Sequence, residues 1–521
     1  MSLARAIFTV GGLTMVSRVL GFLRDIAAAN MLGAGPVADA FYIAFRLPNL
    51  FRRLFAEGAF SVAFVPVYAG LLETEGKARA DAFAREAQAM LLAMLLPLSA
   101  AAMAFMPLVV LAVAPGVAAK PEVYGLAVEL SIITFPYLVL ISLTALQGAV
   151  LNALHRYAPF AAAPILFNLC LLAGLAAAPL FPSAGHALAW GEAGAGVVQV
   201  LWMWRACRQS GVRLRIVRPR LSPEVRRLLA LMGPAAIGAG AMQISVVIDQ
   251  QIASLLPTGA ISHLYYAERL YQLPLGVIGI AVGTALLPIL ARQVRAGEVE
   301  AARDSQCRGI EFALLLSLPA AVALGVAGLP MMNALFAHGK LTPADAAASA
   351  AALAGYAIGI PAYVLGKVLS TAFFARENTR TPVKYGLVTV AFSAATGATL
   401  ALVLDFGVLG IALATGAAAW FNVALMAWGL RRRGLLVADG RLKRALPRIL
   451  LAALAMGLAV WGLTLPFDGW WNGAIWQRLV AVAALVGGGG AVYFAAALGL
   501  GAVRPAELRG LLRRRRPPAA T

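Results

Sequence analysis

Residues 479–503 read LVAVAALVGGGGAVYFAAALGLGAV, an apolar run that contains no Asp, Glu, Lys or Arg. A transmembrane helix needs about 20 predominantly apolar residues in succession, so this run is long enough to cross a bilayer. A strand of a membrane barrel would instead alternate apolar and polar residues over about 10 positions. The run therefore predicts a membrane-spanning helix and favours an all-α membrane protein.

The composition of the whole chain agrees with this prediction. Of the 521 residues, 61% are hydrophobic and only 13% are charged, and the mean hydropathy is +0.82. A soluble globular protein has about half apolar and about a quarter charged residues, so that class is excluded. The three cysteines, Cys170, Cys207 and Cys307, have the spacing of neither a disulfide framework nor a zinc site.

Further runs of the same kind divide the chain into fourteen apolar segments. Because these runs are continuous rather than alternating, we predict fourteen transmembrane helices. The segments are 5–32, 37–69, 84–113, 124–152, 159–180, 186–204, 224–256, 261–290, 309–336, 346–374, 383–404, 407–430, 445–465 and 475–502.

The connections between the segments alternate in charge. Arginines and lysines crowd into the connections at 205–227 and 431–448 and into the C-terminal tail, which carries Arg513 to Arg516. The alternate connections are short and nearly free of Lys and Arg, so the positive-inside rule places the basic set and both termini in the cytoplasm. We therefore interpret the net charge of +20 as topology and contact with anionic membrane lipids rather than nucleic-acid binding.

Part of the sequence occurs twice. Residues 42–47, YIAFRL, recur at 265–270 as YYAERL, an offset of 223 positions, and three later matches have similar offsets. A duplicated block of six helices keeps its orientation, and transporters built from two such lobes alternate the access of a substrate bound between them. We therefore predict two pseudo-symmetric six-helix lobes plus two extra C-terminal helices. The predicted parts are an N-lobe (1–210), a C-lobe (211–435), helices 13 and 14 (436–503) and a basic cytoplasmic tail (504–521).

Several predicted helices carry ionisable residues within the apolar segment. A charge at the centre of a transmembrane helix costs about 2.5–3.5 kcal/mol, so such residues normally face a polar cavity and serve a function. Arginines outnumber acids in helices 1, 2 and 8, and surplus guanidinium groups suit phosphate or carboxylate ligands. Ion pairing alone is the alternative that remains open. The ionisable residues are Arg18, Arg24, Asp25, Asp39, Arg46, Arg52, Arg53, Glu57, Asp249, Glu268, Arg269 and Lys367.

Three motifs resemble those of a known family. Residues 17–25, SRVLGFLRD, and 39–61, DAFYIAFRLPNLFRRLFAEGAFS, resemble the first two helices of the MurJ family of lipid II flippases. That family belongs to the multidrug/oligosaccharidyl-lipid/polysaccharide exporter superfamily. The motif at 265–270 is similar to the family's eighth-helix motif, with Glu268 where Asp is often found. The resemblance covers essentially the whole chain, including the count of fourteen helices.

The resemblance implies a substrate, a cellular location and candidate partner proteins. The substrate is lipid II, an undecaprenyl diphosphate that bears a disaccharide-peptide, and it moves from the cytoplasmic to the periplasmic leaflet of the bacterial inner membrane for peptidoglycan synthesis. Proteins of cell-wall synthesis are candidate partners, and we expect a monomer. Helices 13 and 14 form a groove for the polyprenyl tail in the family.

The resemblance also assigns site residues. The family's substrate-binding arginines correspond to Arg18, Arg24, Arg52 and Arg269, and the supporting cavity charges are Asp25, Asp39, Arg46, Glu57 and Glu268. Some members bind sodium in the second lobe, and here Asp249 and Thr415 match two of the ligand positions. Ala395 and Thr399 stand at two others, so side-chain ligands are lost or weakened. Asp249 is then a weak sodium ligand, a proton carrier or a structural hydrogen-bonding group.

The mechanism that we expect is alternating access without covalent chemistry, so the protein is not an enzyme. No nucleotide-binding Gly-x-x-x-x-Gly-Lys-[Ser/Thr] motif occurs, which leaves the membrane potential or coupling to Na⁺ or H⁺ as the energy source, with no other cofactor. A flippase for another lipid-linked oligosaccharide is the nearest alternative, since an arginine-lined cavity recognises any diphosphate. A drug/cation antiporter of the same superfamily is the next, although it should have an acidic cavity.

Overall fold

The computed structural model describes residues 3–52 and 60–502, and within these ranges every regular element is helical. Arg53, Glu57 and the predicted basic tail at 504–521 lie outside the described residues. The helices are α1 (Leu3–Leu32), α2 (Pro36–Phe51), α3 (Ser61–Thr74), α4 (Lys77–Ala104), α5 (Met106–Val113), α6 (Pro121–Thr134), α7 (Tyr137–Ala153), α8 (Ala158–Ala176), α9 (Ala184–Gln209), α10 (Pro223–Leu255), α11 (Ala260–Arg295), α12 (Val299–Val326), α13 (Gly328–Leu335), α14 (Pro343–Phe374), α15 (Arg380–Ala398), α16 (Gly407–Arg432), α17 (Gly440–Thr464) and α18 (Ile475–Gly499).

Nine helical stretches among the described residues are long and apolar enough to cross a membrane. The prediction of an all-α, multi-pass membrane protein is therefore confirmed, whereas the count of fourteen spans stays a prediction. The nine stretches are α4, α6 with α7, α8, α12, α14, α15 with the π-helical turn that follows it, α16, α17 and α18.

The first compact unit contains residues up to Tyr266 together with 338–345. Its main helix pairs are α8 with α9, α2 with α6, α1 with α8 and α7 with α9. Helices α8 and α9 approach closely because glycines face each other: a Cβ atom added to Gly174 would lie 2.6 Å from the carbonyl oxygen of Ala187. Small residues at a helix contact are the usual means by which membrane helices pack, since they let the backbones meet.

Helix α10 and the first turns of α11 belong to this first unit by their contacts. Lys120 donates hydrogen bonds to the carbonyl oxygens of Ser254, at 2.9 Å, and of Leu256, at the C-terminal end of α10. At the other end of α10, Glu224 pairs with Arg79 of α4 at 2.5 Å. The compact units are defined by contacts between helices, whereas the predicted lobes are defined by the sequence repeat. The predicted lobe boundary at residue 210 therefore stays a prediction.

The second compact unit contains residues 267–337 and the described residues from Ala346 onward. Helix α17 packs between α12 and α18, and the phenol of Tyr493 on α18 donates to the carbonyl oxygen of Leu315 on α12 at 2.5 Å. At the start of α17, Asp439 caps the helix by accepting from the Leu442 amide at 2.7 Å. Arg308 of α12 pairs with that same Asp439. These contacts fix the two C-terminal helices to α12.

Candidate functional site

A cavity of about 510 Å³ lies between α1, α2, α7, α8 and α9 of the first unit. Arg18 of α1 and Arg52, which follows α2, line it, and no Asp or Glu occurs among its lining residues in the described part of the chain. The cavity wall is therefore positive. Hydroxyl and amide groups surround the two arginines, contributed by Thr14, Ser17, Asn49, Tyr137, Thr144, Asn152, Tyr157 and Gln199.

The two arginines of the cavity differ in how they are held. The Nε of Arg52 donates a hydrogen bond to Asn49 Oδ1 at 3.2 Å, one helical turn earlier. Arg18 is half-buried, and among the described residues none forms a hydrogen bond or ion pair with its guanidinium group. A guanidinium has five N–H donors in a planar fork that matches the oxygens of phosphate and carboxylate. The donors of Arg18 thus face the cavity, where an anion can accept from them.

Arg24 lies deeper in the same unit and is not among the lining residues. Its Nη2 donates to Asp25 Oδ1 at 2.6 Å, and its Nη1 donates to Asn168 Oδ1 at 2.9 Å. The guanidinium also lies over the rings of Phe45 and Phe167, with 5.7 and 5.8 Å to the ring centroids. Because Phe167 also lines the cavity, Arg24 sits directly behind the cavity wall. Its charge is balanced at close range by Asp25.

Asp39 has a structural position that the sequence did not indicate. The side chain is buried and accepts hydrogen bonds from the Gly259 amide at 2.7 Å, the Ser262 amide at 2.9 Å and the Ser262 hydroxyl at 2.6 Å. These donors belong to the first turn of α11, where a carboxylate is favoured by the helix dipole. Asp39 is therefore the cap of α11 and does not line the cavity.

Aromatic rings connect the two copies of the repeated motif. Tyr42 and Tyr265 stack with their ring centroids 3.8 Å apart, and the Tyr265 hydroxyl donates to Asp25 at 3.3 Å. Arg46 lies over the Tyr265 ring at 5.9 Å and donates to Gln250 Oε1 at 3.4 Å. The predicted cavity charges Asp25 and Arg46 are thus engaged by the second copy of the motif.

The remaining predicted site residues lie on other elements. Glu268 and Arg269 lie on α11 in the second unit, where Glu268 accepts from Gln272 at 2.6 Å. Asp249 lies on α10 in the first unit, and Thr415 lies on α16 in the second, with its hydroxyl donating to the Ile411 carbonyl at 2.8 Å. Within the described ranges, no three His, Cys, Asp or Glu side chains converge in the manner of a metal site. Sodium binding stays a prediction.

One buried charge was absent from the sequence-based candidates. Glu192 of α9 is completely buried, and neither of its carboxyl oxygens has a hydrogen-bond partner among the described residues. The sequence could have indicated Glu192, because it is an ionisable residue within the apolar segment 186–204, just as the selected arginines lie within theirs.

The second unit contains an apolar groove of about 460 Å³. It lies between α11, α12 and α13 on one side and α17 and α18 on the other. Helix α18 lines the groove with the small residues Gly489 and Gly490. It also contributes the larger Val486 and Phe494, both of which are exposed. The groove therefore lies on the helix pair for which a tail-binding groove was predicted.

Known proteins resemble this chain over almost its full length. The profile of the family described as lipid II flippase MurJ matches residues 28–480. A probable lipid II flippase MurJ of Rhizobium meliloti (strain 1021) is 42% identical over 99% of this chain and 97% of its own length. A lipid II flippase MurJ of Burkholderia cenocepacia is 36% identical over 93% of this chain and 94% of its own.

Solved structures show the same fold. A lipid II flippase MurJ in an inward closed conformation superimposes with a TM-score of 0.77 at 23% identity, over 97% of this chain and 99% of that one. An inward-facing multidrug resistance transporter of the MATE family in the MOP superfamily gives a TM-score of 0.69 at 13% identity, over 82% of this chain and 98% of its own.

Proposed function

This chain belongs to the MurJ family of lipid II flippases, and from that premise we propose that it moves lipid II by alternating access, with Arg18 and Arg52 receiving the acidic head group. The observation that carries the proposal is the cavity of the first unit, in which two arginines and no described acid line the wall. Such a wall favours an anion over a cation, which argues against a drug/cation antiporter.

The chemistry of the cavity matches the parts of the substrate. A diphosphate offers several oxygens to the guanidinium donors, and charge-assisted pairs of this kind are about twice as strong as neutral hydrogen bonds. The hydroxyl and amide side chains beside the arginines, such as Asn49, Asn152 and Gln199, suit the hydroxyl and amide groups of a disaccharide-peptide.

Arg24 and Arg269 complete the proposed set of substrate arginines in different ways. Arg24 keeps its ion pair with Asp25 and acts on the head group through its charge from behind Phe167. Arg269, half-buried on α11, is the fourth arginine of the proposed set. Glu57 and Glu268 are proposed to balance the positive charge when no substrate is present.

We propose fourteen spans arranged as two pseudo-symmetric six-helix lobes with two helices appended, in the bacterial inner membrane and with both termini cytoplasmic. Each of the fourteen apolar segments overlaps a helix or two consecutive helices of the structure. Two pairs of residues at equivalent positions of the repeat contact each other, Tyr42 with Tyr265 and Asp39 with Ser262. Contact between equivalent positions is what a two-fold axis produces, so both pairs support the duplication.

The apolar groove of the second unit is the proposed place for the polyprenyl tail. Its lining residues are nearly all apolar, and its open side is formed by exposed residues of α18 such as Val486 and Phe494. A tail held there stays in an apolar environment, since each buried CH₂ contributes about 0.8 kcal/mol. The helices that form this wall are the two that follow the repeat.

The proposed transport needs no covalent step. An anion that leaves a negative interior moves downhill by about 2.3 kcal/mol per charge per 100 mV of membrane potential. The membrane potential alone can therefore drive the movement outward. Asp249 is proposed as a sodium ligand, a proton carrier or a structural hydrogen-bonding group.

The test is transport in proteoliposomes that contain the purified full chain and fluorescent lipid II. Accessibility of the label to an external quencher, with and without an inside-negative potential, measures movement between the leaflets. We expect movement of lipid II and a faster rate when the potential drives the anion. Equal transport of a polyprenyl diphosphate with an unrelated oligosaccharide would favour the alternative substrate class, and no transport of either lipid would contradict the proposal.

A further inference from the structure

Lys367 of α14 is an ionisable residue to which the proposed transport assigns no role. Helix α14 is long and apolar enough to cross a membrane, and Lys367 precedes its last residue by seven positions, about 10 Å of helix. The side chain is exposed, and its ammonium group forms no hydrogen bond or ion pair among the described residues. An uncompensated charge at this depth is costly in lipid, so an ionisable residue of this kind normally serves a function.

The open face of α14 around Lys367 is polar. In residues 360–373 of the helix, the positions that are not buried share one face, and they are Tyr363, Gly366, Lys367 and Ser370. By contrast, α17 exposes the large apolar side chains of Leu451, Leu458 and Trp461, as a helix in contact with lipid does. The face that carries Lys367 therefore suits water or a polar ligand better than lipid tails.

Helix α11 lies beside the ammonium group of Lys367. A Cβ atom added to Gly279 of α11 would lie 2.6 Å from Lys367 Nζ, so the ammonium group occupies space that any larger residue at 279 would fill. One turn before Lys367, the ring of Tyr363 stacks with that of Tyr271 on α11, with the centroids 6.2 Å apart. This stack joins the two helices and fixes the position of the ammonium group against α11.

The same face of α11 carries an amide and an acid. Gly279 follows Gln272 by seven residues and Glu268 by eleven, so the three positions lie on one face of the helix. The Nε2 of Gln272 donates to Glu268 Oε1 at 2.6 Å. An ammonium, an amide and an acid thus form a row about 16 Å long. The acid disfavours a diphosphate in this row, whereas a peptide offers carboxylates to the ammonium group and amides to its neighbours.

We propose that Lys367 is a further substrate-binding residue, whose ammonium group binds a carboxylate of the peptide in the head group. The carboxylate accepts hydrogen bonds from the ammonium group in place of water, and no covalent bond is made or broken. The inference rests on the proposed binding of lipid II, in which Arg18 and Arg52 receive the diphosphate. It adds the residue by which the protein distinguishes a lipid that bears an acidic peptide from one that lacks it.

The experiment measures the binding of two lipids to the full chain in nanodiscs. One is lipid II, and the other is undecaprenyl diphosphate with the same disaccharide and no peptide. For Lys367→Gln, which removes the charge, we expect about tenfold weaker binding of lipid II and unchanged binding of the peptide-free lipid. Lys384→Gln removes an exposed lysine from α15 and is the matched control, which should bind both lipids as wild type does.

A second variant tests the position of the charge rather than its presence. Gly279→Val keeps Lys367 but fills the place of its ammonium group, so we expect the same selective weakening for lipid II. A lipid II analogue whose peptide carboxylates are converted to amides has no group for the ammonium to bind as an ion pair. We expect this analogue to bind equally to wild type and to Lys367→Gln.

Three results overturn the inference. The first is unchanged binding of lipid II by Lys367→Gln, and the second is an equal loss for both lipids, which would assign Lys367 to the diphosphate. The third is a wild type that binds the two lipids equally tightly, and this result decides the question if Lys367→Gln fails to fold. These results leave the proposed function standing, whereas a wild type that binds neither lipid contradicts the proposed function and this inference with it.

Discussion

The rings of Tyr42 and Tyr265 stack with their centroids 3.8 Å apart, although 222 residues lie between them in the chain. Both tyrosines are buried, with 1% and 2% of their surfaces exposed. They stand at the same position of the two copies of the repeated motif. The stack joins α2 to the first turns of α11 next to the Asp39 cap, so packing and capping act on the same pair of helices.

Removal of the Tyr42 ring should destabilise the folded protein. Replacing a buried aromatic residue with alanine typically costs about 3–5 kcal/mol, because contacts are lost and a cavity remains. Tyr42→Ala should therefore lower the free energy of unfolding, measured by denaturant titration in detergent, by an amount of that order. Tyr42→Phe keeps the ring and should lose much less. Equal losses for both variants would show that the hydroxyl, and not the stack, provides the stabilisation.

The helices could be predicted from the sequence for a simple reason, and the same reading selected the candidate arginines. An apolar run and a charge within it are local features, so the residues that form α8, α12 or α18, and the choice of Arg18 and Arg52, follow from reading along the chain. A break in the helix within an apolar run is harder to predict from the sequence. The apolar segment 124–152 is divided into α6 and α7 at Phe135 and Pro136, where proline lacks the amide that would continue the hydrogen bonding.

The partner of each charge could not be predicted in the same way. Asp39 was selected as a supporting cavity charge, and nothing in the sequence indicated that it caps α11 through Gly259 and Ser262, more than 200 positions away. Such a pairing depends on which helices meet, and no local pattern encodes that. Glu192 met the criterion for a functional charge, but only the structure shows that it is buried with no hydrogen-bond partner for its carboxyl oxygens among the described residues.

Loss of the Asp39 cap should destabilise the start of α11. Replacing an N-cap side chain with alanine costs about 0.5–2 kcal/mol, and here it also leaves buried donors of Gly259 and Ser262 without their acceptor. Asp39→Ala should lower the thermal unfolding temperature clearly, with Asp39→Asn in between. Asp468→Ala, at an exposed position before α18, is the control and should leave the unfolding temperature unchanged. An unchanged temperature for Asp39→Ala would contradict the capping role.

Arg18 should be needed for substrate binding but not for insertion into the membrane. A charge-assisted hydrogen bond contributes about 1.5–3 kcal/mol, so Arg18→Ala should weaken binding of lipid II by about ten- to a hundredfold. Arg269→Ala should also lower transport, as the fourth arginine of the proposed set. Arg220→Ala, an exposed arginine in the connection before α10, is the control and should keep wild-type transport. Full transport by Arg18→Ala would remove the arginine cavity from the mechanism.

The capping carboxylate of Asp439 should make the attachment of α17 sensitive to acid. Partial burial opposes ionisation of Asp439, but the hydrogen bond from the Leu442 amide and the charges of Arg308 and Arg441 outweigh it and lower the pKa of the carboxyl below its ordinary value. A pKa lowered in the folded state means that this stabilisation is present above the ordinary pKa and is lost as the pH falls through the lowered one. Wild type should lose more thermal stability than Asp439→Asn as the pH decreases through this acid range. Parallel losses would contradict this assignment.

Filling the apolar groove should weaken binding of the lipid tail and leave the head-group site intact. Gly490 lines the groove, and a Cβ atom added at this position has no neighbouring atom within 4 Å, so Gly490→Leu can begin its side chain in open space. We expect weaker binding of full-length lipid II and unchanged binding of an analogue with a short prenyl chain. Gly462→Leu on α17 adds the same side chain at an equally open position outside the groove lining and should bind both lipids as wild type does. If Gly490→Leu weakened the short-chain analogue equally, the groove would not be the site of the tail.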